Sequence, residues 1–321
     1  MTELLSIKNL TTYYKTLRGY VRAVENVSFE INEKEALGLA GESGCGKTTV
    51  ALSILKILPP GGVIKGGQIL FRGMDLVKLD EEQMRHDVRW KKISIIFQGA
   101  MNALNPVYTI GQQIEEAIRL HMPEVSKSEA TEMASKLFEL VGIEPSRINN
   151  YPHEFSGGMR QRAMIAMALS CNPELLIADE PGTALDVIVQ AQILKLLKEL
   201  KDKLGLSMMM ITHDISLIAE TCDKVAIMYA GKIVERGTVR EVFKKPLHPY
   251  TQGLLGAFPE LKAQRMKLTS IPGSPPDLLS PPQGCRFHPR CKYTMDICKS
   301  EEPETISVGH DHYVACHMIR G

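Results

Sequence analysis

Apolar and polar residues alternate along Leu4 to Thr12 and again along Ala23 to Ile31, the period-2 pattern of strands that bury one face. The next apolar run, Ala36 to Ala40, does not alternate, which marks a strand covered on both sides. A helix-compatible stretch from Thr49 to Leu58 follows it. Between Thr109 and Gly142 the period changes to that of a helix, with Ile110, Ile114, Ala117 and Ile118 on one face and Ala134, Leu137, Phe138 and Val141 on another. This spacing predicts an inserted helical block. Strand and helix then alternate over Leu175 to Ala178, Val187 to Lys203, Ser207 to Thr212, Lys224 to Ala230 and Lys232 to Glu235. The pattern predicts an α/β core with a small antiparallel sheet beside a parallel one. After Tyr250, prolines at 259, 272, 275, 276, 281 and 282 break any period, predicting a boundary near 250 to 260 and a loop-like tail.

The junction between the buried strand and the first helix carries the strongest chemical signal. Residues 41 to 48 read Gly-Glu-Ser-Gly-Cys-Gly-Lys-Thr, a phosphate loop in its required strand, loop, helix context. Glycines at 41, 44 and 46 allow the backbone N–H groups of Glu42, Ser43, Gly44, Cys45, Gly46, Lys47, Thr48 and Thr49 to turn around phosphate oxygens at a helix N-terminus. Lys47 is expected to bridge β- and γ-phosphates and Thr48 to ligate Mg²⁺. A chance glycine-rich turn is the bland alternative, and the flanking strand and helix argue against it.

Three more places suit the same chemistry. Leu175 to Ala178 ends in Asp179 and Glu180; alternation along the strand sends Asp179 toward Mg²⁺ and Glu180 toward the water that attacks the γ-phosphate. Ser156, Gly157, Gly158 and Gln161 open a second helix with a hydroxyl and two glycine N–H groups, more than a plain helix cap requires. Gln98 and His213 each follow an apolar strand, where Gln98 can reach Mg²⁺ or the attacking water and His213 a γ-phosphate.

Composition removes several alternatives. With 321 residues, 44% hydrophobic content and a net charge of +1, the chain has the core of a globular protein and no global field for nucleic acid or an anionic membrane. No apolar stretch approaches the ~18 residues of a membrane span, and the start, Met-Thr-Glu-Leu-Leu-Ser-Ile-Lys, lacks the regions of a signal peptide. A cytosolic chain is expected.

Taken in order, Gly41 to Thr48, Gln98, Ser156 to Gln161, Asp179-Glu180, Leu185-Asp186 and His213 resemble the ATPase subunit of an ABC transporter over about residues 3 to 250. The resemblance implies a P-loop NTPase (RecA-like) core with an antiparallel β subdomain, an inserted helical subdomain over about 99–172 and a nucleotide-binding domain spanning 1–252. It further implies that two subunits close head to tail, so that each ATP lies between one phosphate loop and the partner's Ser-Gly-Gly segment. Tyr14, with Tyr13 as rival, would stack on adenine, and Asp186 would lie across the dimer seam. The signature begins with Phe155 where Leu is usual, and Gly182 stands where Ser or Thr often precedes Thr-Ala-Leu-Asp; neither change removes a reacting group.

Within that family, Met101-Asn102-Ala103-Leu104-Asn105-Pro106 followed by Thr109 to Ile114, the segment Pro246 to Thr251, and the tail Cys285-Arg286-Phe287-His288-Pro289-Arg290-Cys291 resemble the dipeptide and oligopeptide importers. Gly99-Ala100 replaces their usual Asp-Pro. The tail, residues 253–321, holds Cys285, Cys291, Cys298 and Cys316 of the chain's seven cysteines. In a reducing cytosol four clustered thiols favour metal over disulfides. Close C-x₂-C pairs of a zinc ribbon are absent, and irregular spacing suits a [4Fe–4S] cluster, as does the resemblance. Zn²⁺ and unmetallated or redox-labile thiols are the alternatives, with His288, His310, His312 and His317 as substitute ligands. A metal would staple a tail too polar to build its own core.

The resemblance implies an ATP-hydrolysing subunit on the cytoplasmic face of the membrane, peripheral to two permease subunits and beside a second, related but non-identical ATPase. An extracellular peptide-binding protein would feed the permeases, and residues 98 to 150 would contact them. Relatives that carry oligosaccharides or nickel keep the solute open. A soluble ABC ATPase acting on the ribosome or DNA would need heptad arms or two nucleotide domains in one chain, and neither is present.

Overall fold

The computed structural model describes residues 2–99, 103–256, 271–309 and 311–320. Ala100, Met101, Asn102, His310 and the predicted boundary segment beyond residue 256 lie outside the described residues. Two compact units emerge, one formed by Met1–Lys78 with Ile211–Gly321 and the other by Leu79–Met210.

The first unit opens with an antiparallel hairpin, β1 (Glu3–Thr16) and β2 (Gly19–Asn32), paired from Ser6↔Glu30 to Thr16↔Gly19. Its inward residues Leu5, Ile7, Leu10, Val24, Val27, Phe29 and Ile31 are buried, as the alternation predicts. Both strands run further than that alternation, to a turn in which Thr16 Oγ1 donates to Gly19 O at 2.9 Å. All five residues of β3 (Ala36–Ala40) are buried. Helix α1 (Lys47–Ile54) stops before the predicted Leu58, because Lys56 takes the left-handed conformation, φ 51°, and the Ile57 N–H closes back on Leu52 O at 3.0 Å. Strands β4 (Gly62–Phe71) and β5 (Met74–Asp75) complete a four-stranded sheet of order β2-β1-β4-β5. Their absence from the sequence-based reading has a cause: glycines at 62, 66 and 67 erase the alternation of β4.

In the second unit Asp80 caps the short helix α2 (Glu81–Gln83), and β6 (Ile93–Ile96) is the next strand. The predicted helical block is two helices, α3 (Ile110–His121) and α4 (Lys127–Leu140). Each begins with a capping box, Thr109 with Gln112 and Ser126 with Glu129, in which two otherwise orphaned backbone donors are satisfied reciprocally. Ile110, Ile114, Ala117, Ile118, Ala134, Phe138 and Val141 are buried. Helix α5 (Gly157–Ala168) leads to β7 (Leu175–Asp179), which pairs in parallel with β6 from Ile93↔Leu175 to Ile96↔Ala178. Helix α6 (Val187–Leu204) ends at Gly205 in the left-handed conformation, φ 66°. The unit boundary falls within β8 (Ser207–Thr212), buried throughout.

The chain then returns to the first unit. After α7 (Ile215–Thr221), β9 (Lys224–Tyr229) pairs in parallel with β3, Leu37↔Lys224 to Ala40↔Ile227, and antiparallel with β10 (Lys232–Thr238). Helices α8 (Val239–Lys244) and α9 (Pro249–Gly256) follow.

The tail is more ordered than its prolines suggest. After α10 (Ile297–Ser300), strands β11 (Ile306–Gly309) and β12 (His312–Val314) form a hairpin, and β12 pairs with β10 through Glu235↔Val314 and Arg236↔Tyr313. Buried His312 meets buried Glu235 at 2.7 Å, and Glu235 also accepts the Leu247 and His248 N–H groups. Tyr229, Tyr250 and Phe287 pack as an aromatic trio with centroids 4.6 to 5.4 Å apart. Strand addition, aromatic packing and buried polar pairs tie this segment to the first unit's core. Among the described residues no helix is long and apolar enough to cross a membrane.

Candidate functional site

The phosphate loop lies in the first unit between β3 and α1. Gly41, Gly44 and Gly46 have φ of 155°, 79° and 106°, values that residues with a Cβ rarely adopt. Space forbids a side chain as well, since a Cβ on Gly41 would lie 2.1 Å from Met228 O, and one on Gly46 2.1 Å from Ala23 O. Gly46 is the N-cap of α1 and carries no side-chain cap, which leaves first-turn N–H groups for an anion. Lys47 is buried, and its ammonium donates to Gly41 O at 2.8 Å and Glu42 O at 3.1 Å, fixing the charge at the centre of the loop. Ser43, Gly44 and Thr48 are exposed, whereas Thr49 is buried and shares a 3.3 Å hydrogen bond with the Tyr14 hydroxyl. Burial pushes the Cys45 thiol above its ordinary range despite the neighbouring Lys47, so it stays protonated. A cradle with no room for a Cβ at Gly41 or Gly46, and with one fixed cation, fits a magnesium-bound triphosphate.

The two candidate adenine partners are placed differently. Tyr13 donates its hydroxyl to Glu25 at 2.5 Å and packs against Tyr20, while Tyr14 reaches the first turn of α1. Glu42 is held on both sides. Its N–H donates to the Tyr250 hydroxyl at 2.9 Å, and its carboxylate accepts a two-pronged bond from Arg290 at 2.6 and 2.9 Å. Through these bonds Glu42 anchors the loop. Neither Tyr250 nor Arg290 was foreseen as part of the site.

In the second unit, Gln98 Nε2 donates to Glu180 Oε2 at 2.9 Å and Thr183 Oγ1 donates to the same oxygen at 3.0 Å. Glu180 holds a left-handed φ of 47°, unusual for a residue with a side chain and typical of sites where strain positions a reacting group. Asp179, one residue earlier, is buried at the end of β7. Gln98 and Glu180 are thus brought together, with Thr183 as a third member that the sequence signalled only through its neighbours. Ser156 caps α5, accepting the Met159 N–H at 3.3 Å, with Gly157 and Gly158 in the first turn and Gln161 buried. A Cβ on Gly158 would come within 2.7 Å of Val189, so close α5 to α6 packing also demands this glycine. Asp186 caps α6 through a 2.9 Å bond from the Val189 N–H. His213 is exposed at the end of β8 in the first unit.

In the tail, the Cys285 N–H donates to Cys298 O at 2.9 Å. Burial, reinforced by the charges of the other three tail thiols, pushes Cys285 up to about 11, and burial also raises Cys291 and Cys316. The four cysteines converge, yet among the described residues no group of three or more His, Cys, Asp or Glu side chains is arranged to hold a metal ion. Among the described residues the expected iron–sulfur or zinc ligand cage is therefore not seen. His312 and His317 are engaged with Glu235 and Glu301 O, and His288 with Cys285 O.

Comparison with known proteins agrees with this geometry. Residues 24–183 match the ABC transporter family model, and residues 234–298 match the model for the oligopeptide/dipeptide transporter C-terminal region. The chain is 50% identical to the oligopeptide transport ATP-binding protein OppD of Bacillus subtilis over 99% of this chain and 90% of the relative. It is 47% identical to the dipeptide transport ATP-binding protein DppD of the same organism, over 99% and 95%, and 47% identical to OppD of Escherichia coli, over 94% and 89%. Among solved structures, a dimeric ATP-binding cassette in a post-hydrolysis state with ADP and Pi matches at TM-score 0.65 and 28% identity, over 74% of this chain and 99% of that one. CbiO1 of Clostridium perfringens matches at 0.64 and 27%, over 76% and 92%. A cassette fold, a phosphate cradle around Lys47 and a matching C-terminal region lead to one assignment: the chain belongs to the ABC transporter ATP-binding proteins of the oligopeptide and dipeptide branch.

Proposed function

We propose that this chain is the ATP-hydrolysing subunit of an importer for dipeptides or oligopeptides, working at the cytoplasmic face of the membrane beside two permease subunits and a second, related ATPase. The observation that carries this reading is the Lys47 cradle in a chain whose tail matches the oligopeptide/dipeptide C-terminal region. In this reading Lys47 binds the β- and γ-phosphates, Tyr14 stacks on adenine, and Thr48, Gln98 and Asp179 hold Mg²⁺. Glu180 orients and deprotonates the attacking water, with His213 at the γ-phosphate. Ser156, Gly157, Gly158 and Gln161 serve the partner's nucleotide, and Asp186 the dimer seam. Residues 1–252 form the nucleotide-binding domain, with a helical subdomain over about 99–172, and 253–321 the extension. Backbone amides do the binding and side chains the chemistry.

The test is transport in proteoliposomes holding the permeases, both ATPases and the cognate binding protein. Peptide should raise ATP hydrolysis and accumulate; stimulation by nickel or an oligosaccharide instead would contradict peptide as the cargo, and association with ribosomes or DNA would contradict transport. For the tail, the convergence of four thiols supports a metal centre formed by Cys285, Cys291, Cys298 and Cys316 once metal draws them together. Anaerobically purified chain should show iron, sulfide and absorbance near 400 nm if that centre is [4Fe–4S]. Stoichiometric zinc would replace it with a zinc site, and neither metal would leave free thiols.

A further inference from the structure

The guanidinium of Arg290, a residue only 9% exposed, grips the second residue of the phosphate loop. Two of its nitrogens hold both oxygens of Glu42, at 2.6 and 2.9 Å, while Nε donates to Pro272 O at 2.7 Å and a further donor meets Gly273 O at 3.3 Å. The Tyr229 hydroxyl accepts from Arg290 at 3.3 Å, and its ring lies beneath the guanidinium. The other side of Glu42 is held by Tyr250, whose hydroxyl accepts the Glu42 N–H. Tyr250 is itself fixed, with its N–H donating to buried His248 Nδ1 at 3.0 Å. Glu42 O accepts from Lys47 and from the Cys45 N–H. Every polar group of Glu42 is thus assigned to a partner, and two of those partners lie more than 200 residues downstream.

An acidic side chain one residue into an anion-binding loop needs this treatment. Left loose, the carboxylate would repel the nucleotide's phosphates or draw the Lys47 ammonium away from them. A two-pronged guanidinium neutralises it and fixes its direction, which a lysine's point charge does less well. We infer that Arg290 is a positioning residue for nucleotide binding, acting through Glu42 with Tyr250 to keep the phosphate loop in its binding shape. The C-terminal extension is then part of the nucleotide site's architecture. This inference rests on the proposed nucleotide site.

The test measures fluorescent MgATP affinity on the full chain, and KM against kcat for ATP in the complex with permeases and partner ATPase. Arg290→Met should weaken affinity and raise KM roughly 10-fold, as expected for breaking a charge-assisted pair, with kcat within about twofold. Arg290→Lys should recover part of the loss. In a Glu42→Gln background, Arg290→Met should change affinity by less than about twofold, since the carboxylate it restrains is gone. Equal loss in both backgrounds, or unchanged affinity with only a lower melting temperature, would overturn the inference. Should Arg290→Met fail to fold, Arg290→Lys alone decides, because an unchanged KM for that variant contradicts a role for the fork. If the wild-type chain binds no MgATP, it is the nucleotide site that fails.

Discussion

The phosphate loop of the first unit and the Glu180 cluster of the second are built by different physics. The loop is built from backbone: Gly41 and Gly46 with no room for a Cβ, carbonyls holding one lysine and amides of a helix start. The cluster is built from side chains, with Gln98 and Thr183 converging on one carboxylate oxygen over a residue of strained φ. A backbone cradle tolerates almost no change of shape and chiefly sets affinity. A side-chain cluster tolerates near-isosteric change in shape but not in protonation, and sets turnover.

That contrast is open to attack. Glu180→Gln should retain MgATP binding and cut turnover by ~10² or more, as for losing a general base; near-normal phosphate release would erase the distinction. Gly46→Ala should do the opposite and weaken nucleotide binding by ~10²-fold or unfold the loop, since its Cβ would enter Ala23 O, and a thermal melt alongside a binding titration separates those outcomes. Thr183→Val, removing a hydroxyl that donates to Glu180, should lower kcat by roughly 5-fold with little change in KM. A milder probe concerns the tail-side support of the loop. Burial lowers His248 to about 3, so the folded protein resists a proton that the unfolded chain accepts near its ordinary 6.5. Stability attributable to this site is complete above pH 6.5 and falls as pH drops toward 3. Between pH 7 and pH 5 the loss should be about 2 kcal/mol, read from urea midpoints, and His248→Asn should flatten it while still accepting the Tyr250 N–H.

How much of this was legible depended on contiguity. Gly41 to Thr48 is a local shape written in eight consecutive residues, and the strand before it was readable from an unbroken apolar run. The buried strand ending in Asp179 and Glu180 was legible for the same reason, whereas the pairing of Gln98 with Glu180 spans 82 residues and shows only in the fold. Arg290 and Tyr250 stand 248 and 208 residues from the Glu42 groups they hold, and nothing in the local sequence announces those partners. The same applies to the tail. Its prolines read as loop, while β12 finds its pairing partner in β10 and Phe287 its packing in Tyr229 and Tyr250. Glycines hid β4 because they carry no side chain through which alternation can be seen.

The central claim is that the cradle around Lys47 binds a magnesium-bound nucleoside triphosphate. Titration of fluorescent MgATP onto the full-length chain and its Lys47→Ala variant tests it directly, with magnesium removal as a second arm. Saturable binding by the wild type, weakened ~10²-fold or more by loss of the buried ammonium, is the result the account predicts. Equal affinity in both proteins, or none in the wild type, would contradict it.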